Sequence, residues 1–439
     1  MFVELKHSFV FIVILLFFQA SAFSAVTPQM FGAIGDGVHD DTKAIQTALD
    51  CRGKVFLAAG VYRISSKLVV HSGTVFYGEK GSCIKQTEDT FILYNENSQR
   101  SDANWDENIT IRSIAFDGAT VEAVSEYTAG MYMCGVRGLT VENCTMTDIG
   151  GDGIYMGRAG KDRYCEKVRI INCSFNNCGR NVSNPRQSIA IVFAEDVRIT
   201  NCSMSNMRKN SYAVDVEPNK TDEHCSVYIA NCRMVGCGIS SGGDQGATKT
   251  VSVSKCFIDC SMTDNAPIAI SNTKASLSRN VIVSNGQNNG IAIVSSCEAT
   301  IRNNSISSAA AGILVASDSK SVIVTGNEIN GCFCGIYVMN SSGANIKSNT
   351  LERIRNKGVY LRLGSGNATV YKNHIETEEG FDIYSVESND IEIVNNKCRS
   401  AYFGIYCNGE NVLVRKNKSY SEIKAEGRNC RIINNPQLK

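Results

Sequence analysis

From about residue 109 onwards the chain alternates apolar and polar positions in short runs, and the runs recur. LTVENCTM (from 139), VRIINCSF (168), VRITNCSM (197), VYIANCRM (227) and VSVSKCFI (251) are five copies of one phrase. ASLSRNVI (275), ATIRNNSI (299), VIVTGNEI (322), ANIKSNTL (344), ATVYKNHI (368), IEIVNNKC (391) and VLVRKNKS (412) continue it. ITIRSIAF (109) precedes it and CRIINN (430) ends it. Alternation with period two predicts short, half-buried β-strands. One position in the phrase is Cys in five successive copies: Cys144, Cys173, Cys202, Cys232 and Cys256. It is then Asn in eight: Asn280, Asn304, Asn327, Asn349, Asn373, Asn396, Asn417 and Asn435. Successive steps are 29, 29 and 30 residues, and then between 24 and 18.

A fixed step of this size built from strands predicts a solenoid. A second strand recurs in each step, as in NGIAIVSS (289), AGILVASD (311), CGIYVMNS (334) and FGIYCNGE (403). The expectation is one all-β domain over residues 26–439, a single-stranded right-handed parallel β-helix of about 14 coils at ~4.8 Å per coil. No helical segments separate the strands, which disfavours a β/α barrel. A repeated Asn inside each bend can bond the next Asn, satisfying groups that would otherwise be buried bare. Cys at the same position serves as a small buried hydrophobe. FGAIGDGVHDDTKAIQTALD (31–50) reads as a Gly-rich turn and a short amphipathic helix, capped by Asp40 or Asp41, with Ala44, Ile45, Ala48 and Leu49 on one apolar face. Such a helix plugs the open end of a solenoid, so residues 26–60 are expected to form an N-terminal cap region.

That N-terminal stretch resembles the signature of the pectate-lyase-like β-helix superfamily, which includes polygalacturonases, rhamnogalacturonases and phage tailspike depolymerases. GGDGIYMG, RQSIAIVFAEDVRITNCSM and VDVEPN are similar to one branch of it. The resemblance implies the right-handed β-helix and an activity on polysaccharides, although one fold of this kind hosts lyases, hydrolases, epimerases and binding spikes. The NTD, GDD, GHG and RIK set of polygalacturonases and the R-x-P-x-x-R of common pectate lyases are absent, so their chemistry does not carry over.

Composition narrows the setting. Residues 1–25 read as a signal peptide: Lys6 and His7, an apolar run from Phe9 to Phe18, then small residues around Ala20 and Ala22. The expected location is secreted, periplasmic or cell-surface, with no membrane attachment after cleavage. The formal net charge of +1 provides no field for nucleic acid. Nineteen cysteines is an odd count, and their place in the repeat favours packing over disulfides. No zinc-type Cys/His spacing occurs, and the Gly-rich turn lacks the Lys-Ser/Thr of a phosphate loop.

The candidate chemistry lies in SYAVDVEPN (211–219). Val214 and Val216 are expected to face inward, which puts Asp215 and Glu217 side by side on the outer, solvent face. Stacking should bring Asp152 and Tyr155 from two coils earlier, Arg186 and Gln187 from the coil before, and Asp244 from the coil after. Asn219 follows on the same strand end. The expected catalytic residues are Asp152, Asp215 and Glu217, with Arg186, Gln187, Tyr155, Asn219 and Asp244 binding substrate. Paired carboxylates fit glycoside hydrolysis, in which one protonates the leaving oxygen and the other activates water. Residues 158–209 hold ten Lys or Arg against four acids, which suits an acidic polysaccharide. The long steps around these coils imply loops that wall a cleft. Hydrolysis needs no cofactor. The alternatives are a polysaccharide lyase or C5 epimerase, with Arg, Lys or Tyr as base and Ca²⁺ held by the acids, and a non-catalytic glycan-binding solenoid. Oligomeric state is not legible in the sequence.

Overall fold

The structure, a computed structural model, describes residues 25–102, 104–118, 128–180, 186–400 and 402–438. Residues 1–24 of the expected signal peptide lie outside the described residues. Three parallel sheets run side by side, of 16, 15 and 16 strands, and the chain visits them in turn as it winds. The fifteen-stranded sheet runs from Leu68–Val70 to Glu422–Glu426. Stacking sixteen strands at ~4.8 Å gives a rod about 70 Å long.

Each strand is short because it buries alternate residues and then must turn. Val214 and Val216, Ile291 and Ile293, and their equivalents point into one core that extends from Ala33 to Val414. The coil count exceeds the fourteen expected. Strands Lys54–Leu57 and Val75–Gly78 begin the same sheet without a Cys or Asn at the turn. There the Ser82 hydroxyl makes the equivalent bond, donating to the Leu57 carbonyl at 2.8 Å.

The Cys and Asn positions form a continuous internal column at one bend. Asn327 Oδ1 accepts from the Asn304 backbone N–H at 3.0 Å and from Asn304 Nδ2 at 2.9 Å. Asn327 Nδ2 donates to Asn349 Oδ1 at 2.9 Å and to the Ile301 carbonyl at 3.0 Å. The same pattern repeats to Asn435. In the earlier coils the thiol replaces the amide: Cys173 Sγ lies 3.5 Å from the Val141 carbonyl and 3.3 Å from that of Ile171. All nineteen cysteines are free. The residue before the column is left-handed, with φ 54–57° at Asn143, Asn172, Asn201, Asn303 and Asn395. Asn tolerates that region better than most residues, which explains the recurrent Asn-Cys and Asn-Asn pairs.

Helix α1 (Thr42–Asp50) closes the N-terminal end, burying Ala44, Ile45, Ala48 and Leu49. The two aspartates expected at its cap divide the work. Asp41 occupies the N-cap position, but its carboxylate turns back to the Ile34 and Gly35 N–H groups at 2.7 and 3.0 Å. Asp40 accepts from the Thr42 N–H at 3.0 Å instead. His71 joins the helix to the first coils, bridging Asp50 at 3.0 Å and Glu96 at 2.9 Å.

The ladder sets a test of stability. Asn327→Ala strands the Asn304 N–H and the Ile301 carbonyl in the core and is expected to cost about 2–3 kcal/mol. Asn435→Ala, at the partly exposed end, is expected to cost under about 1 kcal/mol. Denaturant midpoints of the two variants check the ordering.

Candidate active site

The long steps place their extra residues on both flanks of the fifteen-stranded sheet. Residues 158–164 and 217–223 leave one edge of its strands, and residues 206–213 enter at the other. Beside residues 217–223 lies a cavity of about 370 Å³, lined by Phe91, Ala129, Tyr132, Asp152, Tyr155, Arg186, Val192, Glu217 and Asn219.

The strand register explains its floor. Tyr132 pairs with Tyr155, Tyr155 with Ala190, Ala190 with Asp215, and Asp215 with Ser240. All five project outward from coils whose Ile and Val residues face the core. Phe91, Tyr132 and Tyr155 stack at 4.4 and 4.9 Å, the last two within 2° of parallel. The column then drops to Ala190, too small to cover the far face of the Tyr155 ring. The cavity opens beside that step and reaches Val192 at the end of the same strand. Gly157 makes room for the ring along the strand: a Cβ there would stand 2.6 Å from it.

Asp215 is the next residue in this column after Ala190; Glu217, two residues on, lines the cavity, and Asp215 is enclosed behind it. The expectation of a solvent-facing carboxylate needs correction: the side chain projects outward from the core, but the loops on either flank leave Asp215 only 7% exposed. Burial pushes its pKa up from 3.8 to about 7, and the Glu217 charge adds to the rise. Ser240 opposes it by hydrogen bonding, while Asp152 raises it and Arg186 lowers it. Three acids therefore sense one another, as the stacking implied. Glu217, two residues along the same strand face, is exposed and lines the cavity.

Asp152 differs from the other two acids. It is 1% exposed and accepts from Arg186 Nη2 at 3.0 Å, Arg186 Nε at 3.3 Å and the Gln187 N–H at 2.9 Å. The Arg186 guanidinium expected to grip a uronate is thus engaged by Asp152, although it still borders the cavity. Gln187 is buried, and its Oε1 accepts from the Tyr212 N–H, so its side chain braces the wall. Asp244 is not among the cavity residues. It accepts from Thr221 Oγ1 at 3.0 Å and the Gly246 N–H at 2.8 Å, fixing a turn. Asn219 reaches the cavity because buried Glu223 holds its N–H at 2.6 Å while also pairing with Arg158 Nε at 3.0 Å. The pKa of the Tyr155 phenol is raised by burial and by neighbouring anionic groups, which keeps it protonated and leaves little phenolate to act as a base.

Among the described residues, five of the ten cations of 158–209, Arg186 among them, form ion pairs within the protein. Arg158 pairs with Asp222 and Glu223, Arg169 and Arg198 with Asp196, and Lys167 with Glu166. Arg163, 6% exposed, donates to the Asn104 carbonyl at 2.8 Å. A count of basic residues therefore overstates the positive field over the cavity. The donor set also fits calcium poorly. Asp152 is committed to Arg186 and Gln187, and among the described residues no group of three or more His, Cys, Asp or Glu converges as a metal ion requires.

Phe91, Tyr132, Val192, Ser240 and Glu223 were missed from sequence. Tyr132 was within reach, because GMYMCG and GIYMG align tyrosine on tyrosine. No described helix is long and apolar enough to cross a membrane.

Residues 26–113 match the family described as rhamnogalacturonase A/epimerase, pectate lyase-like. Over 176 residues, 35% of this chain and 22% of the relative, the sequence is 28% identical to a capsule-specific depolymerase of Klebsiella phage K64-1. Over 157 residues, 34% of this chain and 16% of the relative, it is 25% identical to a preneck appendage protein of Bacillus phage PZA. The chain thus spans under a quarter of the length of these curated relatives. Among solved structures it resembles tailspike protein 3 of bacteriophage CBA120, with a TM-score of 0.56 at 12% identity over 85% of this chain and 57% of that one. A mutant tailspike of E. coli bacteriophage HK620, solved with a pentasaccharide, gives 0.53 at 13% identity over 86% and 76%. At such identities these structures support the fold alone. Residues 102–286 and 289–437 match the family described as right handed beta helix region, and with three parallel sheets wound along its length the chain belongs to the right-handed β-helix family.

Proposed function

We propose that the protein hydrolyses glycosidic bonds of a polysaccharide in the cavity above Ala190, with Asp215 as general acid and Glu217 as general base. The observation that carries this reading is a carboxyl nine-tenths buried beside a second carboxylate, Glu217, which shares a cavity with the Tyr155 ring. Sugars present flat C–H faces that stack on aromatic rings, and Tyr155 offers such a face. Asp215, held protonated near neutral pH, would give its proton to the leaving glycosidic oxygen as the C–O bond breaks. Water attacking the anomeric carbon would lose its proton to Glu217. Residues i and i+2 on a strand lie ~6.5–7 Å apart at Cα, at the short end of the ~6.5–9.5 Å carboxyl range of inverting enzymes. Asp152 acts as a positioning residue, holding Arg186 and the Gln187 backbone at the wall.

Hydrolysis is preferred because it uses a protonated acid and a carboxylate base side by side, which Asp215 and Glu217 supply, whereas Arg186, the cation that would neutralise a uronate for elimination, is engaged by Asp152. The pairing of Arg186 also leaves little net positive charge, so the reading covers neutral as well as acidic glycans. The capsule-specific depolymerase among the relatives supports glycan as the substrate class.

A panel of polysaccharides assayed for reducing ends and for ultraviolet absorbance tests the reaction. Reducing ends without absorbance are expected. Asp215→Asn is expected to lower kcat by about 10²–10⁴-fold. An absorbing product would mean elimination, and retention of glycan without cleavage would mean a binding module. Activity should fall as pH rises through about 7, where Asp215 loses its proton. Glu217→Gln removes the neighbouring like charge, and the Asp215 carboxyl, followed by ¹³C NMR, should then titrate below about 7. Folding raises this pKa, so the linked stability is complete below about pH 4 and is lost as pH rises through about 7. Asp215→Asn should flatten that slope in thermal unfolding.

A further inference from the structure

The outward column that holds Asp215 does not end at the cavity. The register carries it through Ser240, Ala269, Ala292 and Leu314. It then meets four tyrosines in succession: Tyr337, Tyr360, Tyr384 and Tyr406. Tyr337 is five steps from Asp215 and Tyr384 is seven, roughly 24 and 34 Å at ~4.8 Å per step. Ala269 and Ala292 are partly exposed, and on the exit side of their strands only residues 272–273 and 295–297 separate them from the next strands. Along that side, among the described residues, no long loop stands between the acid and the tyrosines.

The tyrosines do not form one closed stack. Tyr337 and Tyr360 lie 4.7 Å apart with planes 8° from parallel, each covering the other. Tyr360 and Tyr384 are 5.4 Å apart and tilted by 44°. At this splay a depression of about 430 Å³ opens, with Arg362, Glu387 and Asn408 around its rim. Arg362 Nε and Glu387 Oε2 are 3.9 Å apart across it. Ring faces beside a guanidinium, a carboxylate and an amide match a sugar, which has apolar faces and a girdle of hydroxyls.

We propose that this depression is a distal subsite for the same polysaccharide chain that is cut at Asp215. The inference rests on the functional reading above and extends it: the substrate is a long chain lying along the sheet, held at two places about 30 Å apart. Holding a second point on one chain makes the local encounter intramolecular, so long substrates gain and short ones do not.

Binding to full-length Asp215→Asn protein, which leaves glycan uncut, provides the test. The probes are polygalacturonate, alginate and purified bacterial capsular polysaccharides in affinity gels, followed by size-fractionated oligosaccharides of whichever polymer is retained. Tyr384→Ala and Arg362→Ala in this background are expected to weaken polymer binding about tenfold, the scale of one aromatic or charged contact. Both should leave unchanged the binding of oligosaccharides too short to span the gap, while Tyr384→Phe retains the ring and the affinity. Arg362 is a surface side chain, so its variant keeps the test free of folding defects. Unchanged polymer binding in both variants, or equal weakening for short and long glycans, overturns the distal subsite alone. Retention of no polysaccharide by the wild type or by Asp215→Asn overturns the functional reading and the subsite with it.

Discussion

Everything in this protein depends on parallel register: each residue lies over its equivalent in the next coil, a strand spacing away. A side chain in such a stack has the same kind of neighbour above and below, so it must be compatible with copies of itself. Asn meets that condition in the bend because its amide accepts on one side and donates on the other, as Asn304, Asn327 and Asn349 do in turn. The thiols of Cys144 to Cys256 meet it differently, by filling the same volume beside backbone carbonyls. Two residue types thus solve one packing problem in the two halves of the rod.

On the outer face the same register produces chemistry where the column stops being uniform. Aromatic side chains stack on one another as far as Tyr155, then Ala190 interrupts, then Asp215 appears. A gap between a ring and a carboxyl is a consequence of three residues in one column. Farther along, four tyrosines resume the column, and the splay between two of them opens a second depression. The rigid rod keeps the two places at a fixed separation, which a flexible linker would not.

Burial turns the acids into different groups. Asp215 and Glu217 share a strand and a face, yet one is enclosed by loops and the other is exposed. Asp152 comes from a coil where the chain must also seat Arg186, and the two neutralise each other. Charges near 158–209 looked like a docking field in the linear sequence because pairing is invisible there. In the fold, Asp196, Asp222 and Glu223 pair with Arg158, Arg169 and Arg198, and Asp152 and Glu166 with Arg186 and Lys167.

The architecture was legible in the sequence by itself, because a coil's strands and bends repeat the same local requirements and therefore the same letters. Inward and outward positions followed from period two, and the level of Tyr155 with Asp215 followed from aligning copies. The early coils escaped notice because Ser82 does there what Cys and Asn do later. What only the tertiary structure decided was the state of each polar side chain: that Asp215 is enclosed, that Asp152 is paired, that Gln187 and Asp244 brace turns. Those outcomes depend on loops of unequal length folding back over the sheet, and loops carry no repeat from which their path could be read.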